Sequence, residues 1–551
     1  MTSLDFIVMS IFAVIILSIG MIFTKMGSKD GQSFFEGGGK IPWWINGLSL
    51  FVSYFSAGTF VVWGSIAYKY GLVSNGIQLT MVFAGLVSSL FLVSRWKRTG
   101  SHTVAEYIRL RFGTKTQQFY TYLIMLHGLF MTASVLYPVG KMVQLATPFS
   151  LETCIIIIGV IIILYTAAGG LWAVLVTDVV QFIVLAAAVL IVIPIAFDNI
   201  GGVTNFIDKS PPHFFDFFND EYSIVFAGAF FIYQTAYIGG NWAYVQRYTS
   251  VRNELESRKV GYLFSILYLV SPFIWMIPPM IYRIINPNLV GLESEGAYML
   301  LCQKVLPSGL IGLILSGMVS ATASKANTTI NLVATVFAKD VYKSIFHAKA
   351  TEAQLILVAR IFTVLFGALT IYIAILVPRV GGIVELVLSV ASIAGGALFI
   401  PIIWTLFPNR QTSFTLVFTS SISLVINLTL KLFAVDLIGF KLSRIAETSL
   451  GVGIPIVCIC LFEAYYLIKN APAKDQLLTF VHLNPIDESI NTGGDNSQNV
   501  FGIRVIAIAM AIVGFGIAIL GFMASMNMPS IVVGVSIIIL SLPTWIASKS
   551  V

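Results

Sequence analysis

The segment Val179–Ile195 decides the fold class, because it reads VVQFIVLAAAVLIVIPI and contains one polar side chain, Gln181. Similar runs recur along the 551-residue chain, in which 57% of the residues are hydrophobic and 10% are charged. Soluble domains carry about 25% charged residues, so a single soluble core could not bury this much apolar surface. In hydrocarbon, every backbone N–H and C=O must be paired internally, and the runs lack the alternation of barrel strands. The sequence therefore predicts an all-α polytopic membrane protein.

The distribution of basic residues predicts how the chain is oriented. About fifteen spans of roughly 20 residues can be drawn along it. Lysine and arginine cluster after the third, seventh and ninth predicted spans, within 95–115, 247–259 and 339–349. By the positive-inside rule, this side faces the cytoplasm. We therefore expect a protein of the plasma (inner) membrane, with its N-terminus outside the cell and its C-terminus in the cytoplasm. The net charge of +7 is attributed to these loops, so no nucleic-acid partner is expected.

Two of the predicted spans carry helix-breaking or polar residues at membrane depth. Phe51–Gly64 reads FVSYFSAGTFVVWG, and Ser316–Asn331 reads SGMVSATASKANTTIN with Lys325 in its centre. Such helices are tolerated where they line a solute or ion cavity. The alternative is that glycine and serine only allow close helix packing. This alternative explains the second segment less well, because that segment also contains a lysine.

The chemistry of the predicted spans favours a transporter over an enzyme. They contain no pair of carboxylates, no metal cluster and no nucleophile–base motif, and the five histidines are scattered. No cofactor is expected, and the four cysteines are interpreted as small core residues. A receptor that senses a solute with the same fold is the alternative from another class, and measured flux separates the two.

Several stretches resemble the sodium:solute symporters, a family that includes the sodium–glucose and sodium–galactose cotransporters. Lys40–Trp44 precedes the broken second span, and Gly169–Gln181 resembles the family signature. Val245–Arg247 and Asn331–Lys343 resemble the ends of two later core helices. The resemblance covers about residues 5–408. It implies a LeuT-type fold, in which two five-helix repeats are inverted relative to one another and the binding sites lie near the bilayer midplane.

The resemblance also implies a division of the chain. The predicted parts are an N-terminal extra helix and loop (1–43), a 5+5 transport core (44–408), C-terminal helices (409–469), a cytoplasmic linker (470–502) and the last two helices (503–551). The run Asn491–Asn499 is rich in glycine, asparagine and serine, which indicates a flexible segment. The sodium–galactose type has three helices after the core, so a fifteenth helix departs from that pattern.

The main sodium site of the family is made of backbone carbonyls and hydroxyls from the broken first core helix and the eighth. By the resemblance, its positions fall at Val52, Phe55, Ala321, Ser324 and Lys325. Lys325 stands where the family has a hydroxyl, and an ammonium donates hydrogen bonds but cannot ligate Na⁺. A charge at membrane depth needs a partner or a wet cavity, and the natural partner is Asp178 on the fifth core helix. Some members use a second sodium site, whose positions match Asp178, Ser324, Asn327 and Thr328.

This lysine leaves the coupling ion open between Na⁺, H⁺ and none. In one hypothesis Lys325 is a built-in cation, and transport is sodium-independent uniport or exchange. In a second, the lysine exchanges protons with bulk water and gives proton coupling. In a third, Na⁺ binds at the second site. The remaining alternative is that Lys325 extends to the cytoplasmic edge without a role in coupling.

The resemblance places substrate contacts at polar positions that differ from those of the known types. These positions are Ser56, Thr59, Gln78 and Asn241. Tyr54 is a further predicted substrate contact because its ring could form a wall of the pocket, and Trp63 and Trp242 are candidate aromatic walls as well. Galactose-type members have glutamine and glutamate where Thr59 and Gln78 stand, and sialic-acid-type members use an arginine that His127–Gln144 lacks. Each lost hydrogen bond costs a substrate about 1–3 kcal/mol, so we expect altered specificity. The solute class stays open: sugar, small acid, amino acid, polyol or vitamin. The expected partners are this small solute and the lipid bilayer, with the protein a monomer or weak homo-oligomer.

Overall fold

The computed structural model describes residues 1–27, 41–101, 103–165, 171–347, 349–473, 497–524 and 527–548. These ranges are almost entirely helical and contain no β-strand, which confirms the all-α fold class. Lys40 and the two glycines that begin the signature stretch lie outside the described residues, as does 474–496 of the predicted linker.

The helices follow one another with short connections. The first group is α1 (Ser3–Gly27), α2 (Trp43–Val52), α3 (Gly64–Tyr70), α4 (Val73–Arg98), α5 (Val104–Phe112), α6 (Thr114–Ala146), α7 (Leu151–Tyr165), α8 (Leu171–Asn199) and α9 (Val203–Asp208). The second group is α10 (Ile224–Gly240), α11 (Trp242–Thr249), α12 (Glu254–Trp275), α13 (Ile277–Ile285), α14 (Ala297–Val305), α15 (Leu310–Val336), α16 (Glu352–Leu376) and α17 (Ile383–Trp404). The last group is α18 (Ser413–Ile438), α19 (Arg444–Ile468), α20 (Ser497–Met523) and α21 (Met528–Ala547).

Several short helical turns of different pitch lie between these helices, at their ends or, in α4 and α17, inside them. Four are π-helical: Thr59–Trp63, Ser88–Leu92, Phe337–Phe346 and Ala391–Gly395. Two are 3₁₀ turns: Gly291–Gly296 and Val377–Val380.

Length and composition bear on how many helices cross the membrane. Among the described residues, 10 helical segments are long and apolar enough to cross, and four further apolar helices are shorter. Two of the short helices, α2 and α10, end where the backbone leaves the helical conformation and the chain continues into a further helical segment. The count of about fifteen spans, like the predicted division into five parts, stays a prediction.

The break after α2 is held by side chains that replace lost helical hydrogen bonds. The Thr59 hydroxyl donates to the carbonyl of Tyr54 at 2.8 Å and accepts from the backbone N–H of Ser56 at 3.2 Å. The Ser56 hydroxyl accepts from the N–H of Gly58 at 3.3 Å. These short polar side chains satisfy backbone groups that an unwound segment would otherwise leave unpaired.

A second break separates α10 from α11. Asn241 has an extended backbone conformation there, and its side-chain oxygen accepts from the N–H of Ala243 at 3.0 Å. Asparagine is a preferred N-cap because this bond satisfies one free donor of the new helix. Around the first break, α2 packs against α8 and α12, and α8 and α6 both pack against α15.

A buried carboxylate fixes the first helix to the core. Asp5 has no exposed surface, and its Oδ1 accepts from the N–H groups of Gly309 and Gly312 at 2.7 and 3.0 Å. These N–H groups belong to the free N-terminal turn of α15, where an anion is favourable. The carboxylate of α1 therefore caps a helix that lines the site described below.

Asp5→Ala is expected to lower the free energy of unfolding by about 2–6 kcal/mol, because two buried N–H donors lose their acceptor at about 1–3 kcal/mol each. The thermal unfolding midpoint in detergent measures the change. Asp5→Asn is the matched control, since its amide oxygen can still accept, and it should lose less. An unchanged midpoint for Asp5→Ala would mean that α1 is not anchored by this contact.

Candidate functional site

A cavity with about 890 Å³ of empty space lies where α2 unwinds. Val52 and Ser53 line it at the break, and α6 contributes one wall from Ile124 to Val135. The other walls come from Asp178 on α8, from α11, from one face of α15 and from Phe399 on α17. Both breaks and the polar segment of α15 therefore meet at one cavity.

Asp178 is the centre of a buried polar cluster beside this cavity. Its Oδ2 accepts from the hydroxyl of Ser49 at 2.6 Å, and its Oδ1 accepts from that of Ser324 at 2.8 Å. The guanidinium of Arg247 lies 3.7 Å from Oδ2 and also donates from Nε to the Ser49 oxygen at 3.0 Å. Both charged side chains are about 5% exposed. The carboxylate thus has a cation and two hydroxyl donors of its own.

Lys325 lies on the same cavity wall but not in that cluster. Within the described ranges, its ammonium has no hydrogen-bond or ion-pair partner. The predicted pairing of Lys325 with Asp178 is not seen, because Arg247 is the cation beside that carboxylate. A charge at membrane depth needs either a partner or a wet cavity. Lys325 has the second of these, because its unpaired charge faces the cavity.

The other predicted ion-site residues are mostly brought together. Val52, Ala321 and Ser324 of the main site, and Thr328 of the second, line the cavity. Phe55 does not: it is buried and stacks on Trp275. The fourth second-site residue, Asn327, is also buried and accepts from the amide of Asn331 at 2.6 Å.

Of the five predicted substrate contacts, Asn241 lines the cavity. The other four are committed to internal contacts in this conformation. Tyr54 packs against the rings of Tyr237 and Tyr244, while Ser56 and Thr59 support the unwound backbone. Gln78 donates to Ser74 at 3.3 Å. Among the candidate aromatic walls, Trp242 lines the cavity.

The role of Arg247 was not predicted, because its position next to the basic loop suggested a cytoplasmic residue. A local signal does exist in the short helix α11. Tyr244, Arg247 and Tyr248 are spaced three and four residues apart, so they share one helix face, and all three are buried. An arginine on an aromatic face indicates a buried cation that needs an acidic partner.

The chain is similar to known proteins over most of its length. The family model described as the sodium:solute symporter family matches residues 34–415. Solute carrier family 5 member 4B of Mus musculus is 28% identical over 466 residues, which cover 74% of this chain and 70% of that protein. The sodium/glucose cotransporter of Vibrio parahaemolyticus is 25% identical over 414 residues, covering 69% of this chain and 76% of the relative.

A solved structure is similar over most of the chain. It shows a Na⁺-coupled sialic acid symporter in a substrate-bound, outward-open state. The TM-score is 0.69 at 20% identity, with 86% of this chain and 99% of that chain covered. At this identity the likeness shows the fold alone, and it confirms the predicted LeuT-type architecture.

Proposed function

Since the chain belongs to the sodium:solute symporter family and is a secondary transporter, we propose that it carries a small polar solute by alternating access, with Lys325 replacing the Na⁺ of the main ion site. The supporting observation is that the lysine lines one cavity with Val52, Ala321 and Ser324, which match sodium-site positions of the family. We further propose that it works in the plasma (inner) membrane, with the basic loops in the cytoplasm.

The charge of the cavity supports sodium-independent transport. Among the described residues that line the cavity, the charged side chains are Asp178, Arg247 and Lys325, with histidine counted as neutral. One negative and two positive charges leave the cavity with a net charge of +1. A second cation at about 4 Å from the ammonium would be repelled by about 4 kcal/mol at an effective dielectric constant of about 20. Na⁺ would therefore bind next to Lys325 only against repulsion.

The second ion site is also unfavourable for Na⁺ in this conformation. Asp178 is bound by Arg247 and accepts from two serine hydroxyls. A sodium ion that displaced the guanidinium would leave the buried Arg247 without its carboxylate, and a buried charge that loses its partner is strongly destabilising. Proton coupling through Lys325 would use the same cavity residues. The uptake measurements with a pH gradient, described below, separate proton coupling from transport that depends on no ion.

Uptake is expected to continue when Na⁺ is replaced by choline. Proteoliposomes would be incubated with a defined mixture of sugars, amino acids, carboxylic acids, polyols and vitamins, and their contents measured by mass spectrometry. An uptake rate that changes with an imposed pH gradient would indicate proton coupling. Loss of all uptake in choline at every pH would contradict the proposal that the lysine replaces Na⁺.

The variant Lys325→Ser restores a hydroxyl at the family position and is expected to make uptake depend on Na⁺, because hydroxyl and carbonyl oxygens suit a hard cation. Lys209→Ser is the matched control, since Lys209 is exposed and lies outside the cavity. An equal sodium response in the two variants would show that Lys325 has no part in coupling.

A further inference from the structure

We propose that the transported solute is a small organic anion, whose carboxylate is held by Lys325 together with Trp242 and His127. This inference rests on the proposed function and names the substrate class of the same cavity. It depends on the charge of the cavity, on the kind of hydrogen-bonding groups that are free, and on the apolar remainder of the wall.

The excess positive charge calls for an anionic solute. The carboxylate of Asp178 is paired with Arg247, and the ammonium of Lys325 has no partner among the described residues. An unpaired charge within the membrane is costly, and an opposite charge on a ligand offsets that cost. A neutral solute would leave the ammonium unpaired in this conformation, whereas a carboxylate would pair with it on binding.

The free polar groups of the wall mainly donate hydrogen bonds. The indole N–H of Trp242 and both ring nitrogens of His127 have no partner within the described residues, and each side chain is 6% exposed. Indole is a donor only, an ammonium has three donors, and a neutral imidazole has one donor and one acceptor. These residues come from three different elements, α6, α11 and α15, and all three line one cavity.

The hydroxyls of the wall are already used as donors within their own helices. Ser53 donates to Ser49 at 2.9 Å, Thr132 to Gly128 at 2.7 Å and Thr328 to Ser324 at 3.1 Å, each to a backbone carbonyl. These oxygens can still accept hydrogen bonds, but they carry no charge, so the unpaired ammonium of Lys325 is the charged group that the described wall offers to a ligand. An ionised carboxylate accepts hydrogen bonds and donates none, which makes it the complementary group. A zwitterion or an amine would bring an ammonium for which the described wall has no free carboxylate.

The rest of the wall indicates an organic body rather than an inorganic ion. Ile124, Met131, Leu332, Val333 and Phe399 contribute apolar surface around the donors. Sites for small organic ligands are mostly apolar with a few placed polar groups, and this wall has that composition. The fitting solute is thus an acid with a carbon body.

The test compares matched pairs that differ in the carboxylate. Proteoliposomes receive equimolar glucuronate and glucose, gluconate and sorbitol, or lactate and 1,2-propanediol, with choline as the cation. For at least one pair, wild-type protein is expected to accumulate the acid roughly tenfold or more over its neutral partner. Lys325→Gln should remove this preference, since losing a hydrogen bond to a charged group weakens binding by about tenfold or more. Lys209→Gln, a change at an exposed lysine, should keep it.

Trp242→Phe provides a second variant that keeps an aromatic ring and removes only the indole donor. It is expected to reduce uptake of the acid several-fold, and gel filtration checks that each variant is folded. Equal entry of the neutral partner, or an acid preference that survives Lys325→Gln in folded protein, would overturn the anion inference while the carrier function stands. Entry of neither member of any pair would also overturn it, and the defined solute mixture then decides the carrier function separately.

Discussion

Replacing Arg247 with methionine is expected to lower the free energy of unfolding by about 3–5 kcal/mol, because the change leaves a buried carboxylate without its cation. The side chains of Arg247 and Asp178 are both about 5% exposed, and they lie 3.7 Å apart. Methionine fills most of the space of the arginine stem, so the loss comes mainly from charge. Ser49, which bridges the two side chains, would also lose one of its two partners.

A double variant separates this charge effect from packing. Asp178→Asn combined with Arg247→Met removes both charges, so it should lose much less than the sum of the two single variants. Thermal unfolding midpoints in detergent measure all three. Arg252→Met is the control for loss of an arginine, because Arg252 is exposed. Additive losses would show that the two side chains are not coupled.

The same pair explains why the lysine faces the cavity alone. Arg247 donates from Nη1 to the carbonyl of Ala243 at 2.9 Å, which holds the guanidinium on α11 next to Asp178. The ammonium of Lys325 is therefore without a carboxylate partner among the described residues.

The fold was predictable because long apolar runs such as Val179–Ile195 leave helices as the solution in a membrane. The positions of the two core segments that meet at the cavity were also predictable, since glycine and hydroxyl residues in Phe51–Gly64 and a lysine in Ser316–Asn331 are unfavourable in lipid. The direction of each side chain was not. Ser56 and Thr59 looked like substrate contacts, but unwinding the backbone creates unpaired groups nearby that these hydroxyls satisfy first.

A second large effect is expected on the far side of the core from the basic loops. Glu295 is 3% exposed, and its carboxylate accepts from the Tyr137 hydroxyl at 2.6 Å and from the backbone N–H of Ile383 at 2.9 Å. These contacts join the turn Gly291–Gly296 to α6 and to the start of α17. Glu295→Ala is expected to cost about 2–6 kcal/mol, because two buried donors lose their acceptor at about 1–3 kcal/mol each.

The stability of the wild-type protein should also respond to pH through this group. Burial raises the pKa of Glu295 above its ordinary value of 4.5, while the bonds from Tyr137 and Ile383 act against that shift. The folded protein therefore takes up this proton at a higher pH than the unfolded chain does. The contribution of Glu295 to stability should rise as the pH falls through the raised pKa towards 4.5, and be smallest at higher pH.

Two variants distinguish the hydrogen bonds of Glu295 from its charge. Glu295→Gln keeps an acceptor oxygen and cannot ionise, so it should lose less stability than Glu295→Ala and remove this contribution to the pH dependence. Tyr137→Phe should be nearly neutral when added to Glu295→Ala, since the hydroxyl has then already lost its acceptor. Thermal midpoints across a pH series measure both effects. If Glu295→Gln and the wild type kept the same pH dependence, the carboxylate would not be the titrating group, and the link between α6 and α17 would rest on packing rather than on this buried charge.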